Sequence, residues 1–456
     1  MFLKNILFLL SCLLFSTHLL ASPNIGRIPS HEVSYFVQDL QTGEILAQHN
    51  ANQAMNPASV MKLVTAYAAL DVLGQDFSWQ TWWFGRANIE NGVLNGNLYW
   101  RGSGDPTLEQ NDIIEMQQQL QQQGIRKIGG KIILDRSHWT SIGSAENFDS
   151  DEGKSFTIPP DTHMLSYKVV RVIVKRNEQG ALDVGTIPPL VNTPIEKNVS
   201  FSGGRCNLNR SLYARYNGNA LVIKGNIPAA CENQWTYVNM LTAQELSAES
   251  FIGNWQSIGG SGSPLTLEGA TPDDAILLAS HKSEPLKNVI RTMNKMSDNL
   301  IARSLFLTLG NNPDVDTIEY AQQTVKNSLK QSGINVDVLE LENGSGLSRS
   351  ERVSAKMLGT MLYRAYFAPF GEEFIDSLPI AGVDGTLKRR LRDVPNLKMK
   401  TGTLKNVRAL AGYKLPDNES EHPLAIVVII NSPQSSGYLY DMDNLVRSLA
   451  NLSRNT

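Results

Sequence analysis

Asn56-Pro57-Ala58-Ser59-Val60-Met61-Lys62-Leu63-Val64-Thr65-Ala66-Tyr67-Ala68-Ala69-Leu70 is the stretch from which the rest of this chain can be read. After Asn56-Pro57 the apolar residues Met61, Leu63, Val64, Tyr67, Ala68 and Leu70 recur at helical spacing. They predict a helix from Ala58 to about Leu73, stopped by Gly74. Residues three apart share a helix face, so the Ser59 hydroxyl and the Lys62 amine can meet on the first turn. A serine hydroxyl is a weak nucleophile until a base stands beside it. A helix N-terminus also favours developing negative charge. Alone the pair says little, because a capping serine followed by a solvated lysine is common.

Working outward, the run 33–40 is strand-like, Gln41-Thr42-Gly43 makes a turn, and Ile45 begins the return, which is a hairpin pattern. Late in the chain, strands are expected at 397–402, 408–414 and 424–430, with helices at 285–307, 316–332 and 438–452. The early hairpin and the late strands can form one antiparallel sheet flanked by helices. From 79 to 265 the text changes to short strands, Gly and Asn turns and many aromatics, with one marked helix at 113–123. We read this as one or two insertions.

Two further elements carry chemistry. Ser297-Asp298-Asn299 follows helical text, although Ser22-Pro23-Asn24 and Ser453-Arg454-Asn455 show how weak such a tripeptide is alone. Lys400-Thr401-Gly402, followed by Thr403, ends a strand, where glycine admits another group close to the backbone. No phosphate loop, His-Glu-x-x-His run or Gly-x-Ser-x-Gly elbow is present. A net charge of −3 with scattered basic residues argues against nucleic-acid binding.

Lys4, the apolar run 6–15 and the Leu19-Leu20-Ala21-Ser22 junction predict a signal peptide over 1–21, with an N-terminal membrane anchor as the alternative. Its removal leaves Cys206 and Cys231, an even number in an oxidising compartment. A disulfide between them is expected, with two free buried thiols as the alternative.

Together and in this order, the three elements resemble the signature of β-lactamases and penicillin-binding proteins. The chain is similar to the class C low-molecular-mass penicillin-binding proteins, the D-alanyl-D-alanine carboxypeptidase/endopeptidase family, over essentially its whole mature length. The runs 102–108, 344–349, 382–387 and 408–413 resemble further motifs of that family, with Asn343 where the family usually has Asp. The resemblance implies an α/β (α+β) fold, a serine β-lactamase/D,D-peptidase-like antiparallel sheet flanked by helices. Two β-rich domains would be inserted after the nucleophile helix. The expected boundaries are 22–78 with 266–456 for the catalytic domain, 79–165 with 235–265 for the first insert, and 166–234 for the second.

The resemblance also implies roles. Ser59 attacks a D-Ala-D-X carbonyl and Lys62, held neutral by the nearby cation Lys400, takes its proton. Ser297 relays a proton to the leaving amine and Asn299 bonds the substrate amide. Lys400, Thr401 and Thr403 hold the substrate carboxylate, Gly402 permits its approach, and the N–H groups of Ser59 and Thr403 form the oxyanion hole. For a diaminopimelate side chain, Asp135 suits the amine, Arg349 the carboxylate and Trp139 the stem, with Lys405 a second cation. The implied partners are peptidoglycan peptides and β-lactams in the periplasm, with no metal, cofactor or stable membrane anchor. The residues do not specify an oligomeric state. A β-lactamase of the same fold and a non-catalytic peptidoglycan-binding protein are the alternatives. The long insert argues against the first, and the intact Ser59, Lys62 and Lys400 against the second.

Overall fold

The computed structural model describes residues 23–86, 88–143 and 155–454. The signal peptide expected over 1–21 lies outside the described residues, among which no helix is long and apolar enough to cross a membrane.

Five strands make one antiparallel sheet in the order Leu397–Leu404, Val407–Lys414, Leu424–Asn431, Val33–Asp39, Ile45–His49. The first strand of the chain thus pairs with one near its end, Val37 opposite Ile426. Successive side chains of a strand point to opposite faces. Phe36, Ala425, Val427 and Ile429 therefore share a core with the helices Met61–Leu73, Leu286–Met296, Asn299–Leu309, Thr317–Gln331 and Ala355–Tyr366. Val37, Ile426, Val428 and Ile430 pack on the other side against helix Leu439–Ala450. Leu424–Asn431 is covered on both faces, which is why it reads as an unbroken apolar run.

The chain leaves this unit at Trp79 and returns at Ser283, and the two points are tied by Ser283 N–H to Trp79 O at 3.0 Å and Trp79 N–H to Ser283 Oγ at 3.0 Å. The return expected after 265 therefore comes later. Thr266–Glu268 and Ile276–Lys282 form the two edges of the insert's own sheet, in the order Thr266–Glu268, Ile132–Asp135, Leu98–Arg101, Gln80–Gly85, Ile276–Lys282. Leu278 and Ala279 are buried in the same core as Trp83, which draws that strand into the insert. Helices Gln110–Gln122 and Ala243–Ser257 cover one face of the sheet.

Two smaller sheets follow, in the orders Leu182–Ile187, Val170–Arg176, Trp235–Val238 and Ile195–Ser202, Leu221–Pro228, Leu212–Tyr216. They close on a core of Val172, Val174, Val184, Leu221, Ile223 and Ile227. Trp235–Val238, expected to belong to the first insert, pairs instead with Val170–Arg176, because Thr236 and Val238 continue the inward rows of Val172 and Val170. A disulfide joins Cys206 to Cys231, which is buried in this core.

Candidate active site

Ser59 lies on the turn Ala58–Val60, which runs directly into helix Met61–Leu73. The turn is held under strain. Ala58 has a left-handed φ of 47°, a conformation that costs an L-residue about 1–2 kcal/mol. Asn56 Oδ1 accepts the Ala58 N–H at 2.9 Å, and Gly346 packs so close that a Cβ there would lie 1.9 Å from Ala58 O.

One helical turn on, Lys62 is completely buried. Its Nζ donates to Ser59 Oγ at 3.1 Å, to Asn299 Oδ1 at 2.6 Å and to Ser345 O at 2.6 Å. Burial lowers its pKa from 10.5 to about 7, against the opposing charges of Asp298 and Glu351. Near neutrality about half of these amines can accept a proton. Lys400 is buried as well and donates to Ser297 Oγ at 2.8 Å and Thr401 O at 2.7 Å. Burial first, then the charge of Lys62, push it well below the usual lysine range. Loss of solvent is thus the larger cause for both amines, where the sequence reading named only the cation Lys400, and the mutual repulsion of the pair adds to it.

The continuous helix expected over 285–307 is broken in two. Ser297, at φ 59°, caps Leu286–Met296 in the left-handed region, and Asp298 starts Asn299–Leu309 by accepting the Ile301 N–H at 2.9 Å. This break directs Ser297 to Lys400 while Asn299 reaches Lys62.

Leu397–Leu404 is the edge strand facing these groups. The N–H of Met399 bonds Pro379 O at 2.9 Å, and Leu397 O accepts the Ala381 N–H at 2.9 Å, both away from the neighbouring strand. Alternation by two puts the Thr401 and Thr403 backbone groups on the same open edge. A Cβ on Gly402 would come 2.5 Å from Pro57 O, so glycine lets this strand lie against the nucleophile turn. Thr401 Oγ1 donates to Thr386 Oγ1 at 2.8 Å.

Several contributors escaped the sequence reading. Glu351 is fully buried and accepts the N–H groups of Glu342, Asn343 and Gly344 at 3.0–3.1 Å, shaping the loop that presents Ser345 O to Lys62. Asn343 accepts from Ser345 Oγ at 2.6 Å and donates to Leu347 O at 2.9 Å. An ionised Asp could not make the second bond, so the amide has a structural use here. From the insert, Phe156 O accepts from Asn299 Nδ2 at 3.0 Å. Tyr167 meets Asp298; burial, then the charge and hydrogen bond of that carboxylate, push its phenol up. Apart from Asn343, which the sequence already singled out and whose partners lie two and four positions away, each depends on groups that the fold brings near.

The side-chain recognition set is not assembled in one place. Arg349 and Lys405 do come together, Arg349 Nη1 donating to Lys405 O at 3.4 Å, and both line an open depression of about 500 Å³ with Asn56, Arg352 and Asn406. Asp135 is buried in the insert's sheet, and its oxygens accept from Ser137 Oγ at 2.6 Å, Thr271 N–H at 2.9 Å and Arg101 Nε at 3.3 Å. These bonds hold its pKa well below the usual range despite burial, and leave it in a structural role instead of the amine-binding one expected. Trp139 is buried against Gly104, where a Cβ would lie 2.1 Å from the indole, so it packs the insert and offers no open face.

The model of the D-Ala-D-Ala carboxypeptidase 3 (S13) family matches residues 18–452. The chain belongs to that family. It is a serine-type D-Ala-D-Ala carboxypeptidase by membership. The D-alanyl-D-alanine carboxypeptidase DacB of Haemophilus influenzae is 29% identical over 416 residues, covering 88% of this chain and 85% of that one. The D-alanyl-D-alanine carboxypeptidase of an Actinomadura species is 29% identical over 423 residues, covering 86% and 76%. The crystal structure of penicillin-binding protein 4 from H. influenzae superimposes with a TM-score of 0.71 at 27% identity, covering 92% of this chain and 95% of the other. The same relative has also been solved with a β-lactam. A predatory endopeptidase from Bdellovibrio bacteriovorus shares the fold, with a TM-score of 0.54 at 14% identity and coverage of 93% of each chain.

Proposed function

We propose that the S13 chemistry of this chain is carried by Ser59 as nucleophile and Lys62 as its base. The carrying observation is the Lys62 amine, stripped of water and 3.1 Å from Ser59 Oγ, with a pKa near 7. In acylation the Ser59 Oγ–carbonyl carbon bond forms as Lys62 takes the hydroxyl proton. The oxyanion is met by the N–H groups of Ser59 and Thr403. The Ser297 hydroxyl, bonded to Lys400, passes its proton to the leaving D-amino acid nitrogen as the amide breaks, and is refilled by the proton that Lys62 took from Ser59. Water then cleaves the ester, with the proton path reversed. Lys400, Thr401 and Thr403 hold the substrate's terminal carboxylate, and Asn299 bonds its penultimate amide.

The substrates are D-Ala-D-X bonds of peptidoglycan peptides. A β-lactam would acylate Ser59 in the same way and leave slowly. The predicted signal peptide and the disulfide support a periplasmic site of action. Arg349 and Lys405 are the cations that would face an acidic side chain of the donor peptide.

The test is Ser59→Ala with fluorescent penicillin. Labelling should vanish while the circular dichroism spectrum and Tm stay unchanged. A folded Ser59→Ala protein that still labels would refute the assignment.

A further inference from the structure

The outer surface of the sheet Leu182–Ile187, Val170–Arg176, Trp235–Val238 departs from ordinary alternation. Its inner rows, Val170, Val172 and Val174, are buried, as an antiparallel sheet with one solvated face requires. The outward rows should then be polar. Instead Trp235 stands opposite Ile173 and Tyr237 opposite Arg171. Trp235 is 52% and Tyr237 50% exposed. Five of the seven tryptophans are buried, and Trp235 is the only one more than half exposed. The Arg171 guanidinium sits over the Trp235 ring, 5.4 Å from its centroid. The strand Leu212–Tyr216 lies alongside, and its solvent face carries the exposed cation Arg215.

This face is coupled to the active site through short contacts. Arg171 Nη2 donates to Glu109 Oε2 at 2.7 Å, and the same oxygen accepts from Ser166 Oγ at 2.8 Å. Ser166, Tyr167 and Lys168 form three consecutive left-handed residues, with φ of 47°, 55° and 54°. Such strain persists only where the surroundings over-determine it. Tyr167, at its centre, meets Asp298, between Ser297 and Asn299.

We propose that Trp235, Tyr237 and Arg171 form a subsite for the sugar backbone of peptidoglycan, engaging the same polymer whose stem peptide occupies the Ser59 cleft. Flat rings with an apolar face and a polar rim suit the C–H face and hydroxyl edge of a pyranose. Residues two apart on a strand are about 7 Å apart, so both rings fall within the span of two linked sugars. Arg171, held by Glu109, fixes the Trp235 ring on which a sugar would stack. The tyrosine-centred turn keeps this face at a set position relative to the nucleophile.

The inference rests on the peptidase reading, and the test separates the two. Trp235→Ala with Tyr237→Ala is compared with the parent on a sugar-free stem pentapeptide and on glycan strands bearing the same peptide. The loss of kcat/KM on the strands should exceed the loss on the free peptide about tenfold. Equal losses, or none on the strands, would overturn the subsite. Independently, N-acetylglucosamine tetramer is titrated calorimetrically into the penicillin-treated parent, the double variant and Arg171→Gln. Binding by the parent that is abolished in the double variant and weakened in Arg171→Gln supports the proposal; no binding by the parent overturns it. Penicillin labelling of the parent reports the peptidase reading alone, and its failure leaves the sugar titration decisive for the subsite.

Discussion

Titrating Lys62 gives the sharpest test of how the site works. An ordinary lysine, with a pKa near 10.5, has about 0.03% of its amines neutral at pH 7, whereas one at about 7 has about half. Burial thus supplies on the order of a thousandfold more base at neutrality. Below pH 7 the amine protonates, so the second-order rate of acylation by a chromogenic cephalosporin should fall about fiftyfold from pH 7 to pH 5. Above about pH 8 the gain from Lys62 is complete, and a later fall would report loss of the Lys400 proton. Glu351→Gln adds a second arm. The amide carbonyl keeps an acceptor for the three loop N–H groups, but of the two charges that raise the Lys62 pKa, Asp298 and Glu351, the second is gone. The amine then loses its proton more readily, and the midpoint should move to lower pH. Stopped-flow absorbance from pH 5 to 9, with Tm recorded at each point, measures both. A flat profile, a midpoint above pH 9, or an upward shift in Glu351→Gln would refute the burial argument.

Three further outcomes follow from the geometry. Gly346→Ala places a methyl group 1.9 Å from Ala58 O at a φ of +80°, so the turn bearing Ser59 must move; penicillin labelling should slow more than tenfold with a stability loss of about 3 kcal/mol, and an unchanged labelling rate would count against the pinned turn. Replacing Cys206 and Cys231 by Ser together removes a link across 25 positions, and denaturant melts should show a loss of roughly 3 kcal/mol, an identical midpoint and slope being the contrary result. Arg349→Ala should lose at least about tenfold more kcat/KM on a muropeptide with free diaminopimelate than on an acetyl-lysine D-Ala-D-Ala peptide, a difference of about 1.4 kcal/mol; parallel losses would assign Arg349 to the fold.

What could be read beforehand and what could not divide along physical lines. Ser59 and Lys62 were legible because helix geometry alone makes residues three apart neighbours. The central strand Leu424–Asn431 was legible because burial on both faces leaves an apolar run. The helix break at Ser297 was not, since Asp298 caps the second helix within otherwise helical text. Nor was the insert's return at Ser283, because Ile276–Lys282 is recruited by pairing with Gln80–Gly85, nearly two hundred residues earlier. Asp135 misled for a related reason: a strand-end carboxylate looks available until Thr271, from a distant segment, claims it. Glu351 works through backbone donors, which every residue possesses and no motif advertises.

The Phe156 carbonyl on Asn299 Nδ2 bears on where binding energy can come from. A peptide amide that engages that nitrogen from the same side replaces one carbonyl acceptor with another. The exchange conserves the number of hydrogen bonds, so this contact adds less than the usual net gain of about 1 kcal/mol. Affinity must then be drawn from other groups, such as the substrate's charged carboxylate near Lys400 and the oxyanion at the Thr403 edge. The second of these forms only as the carbonyl carbon becomes tetrahedral. In this arrangement the resting enzyme carries its own stand-in for part of the ground state and none for the transition state, a bias that favours turnover over tight holding of substrate.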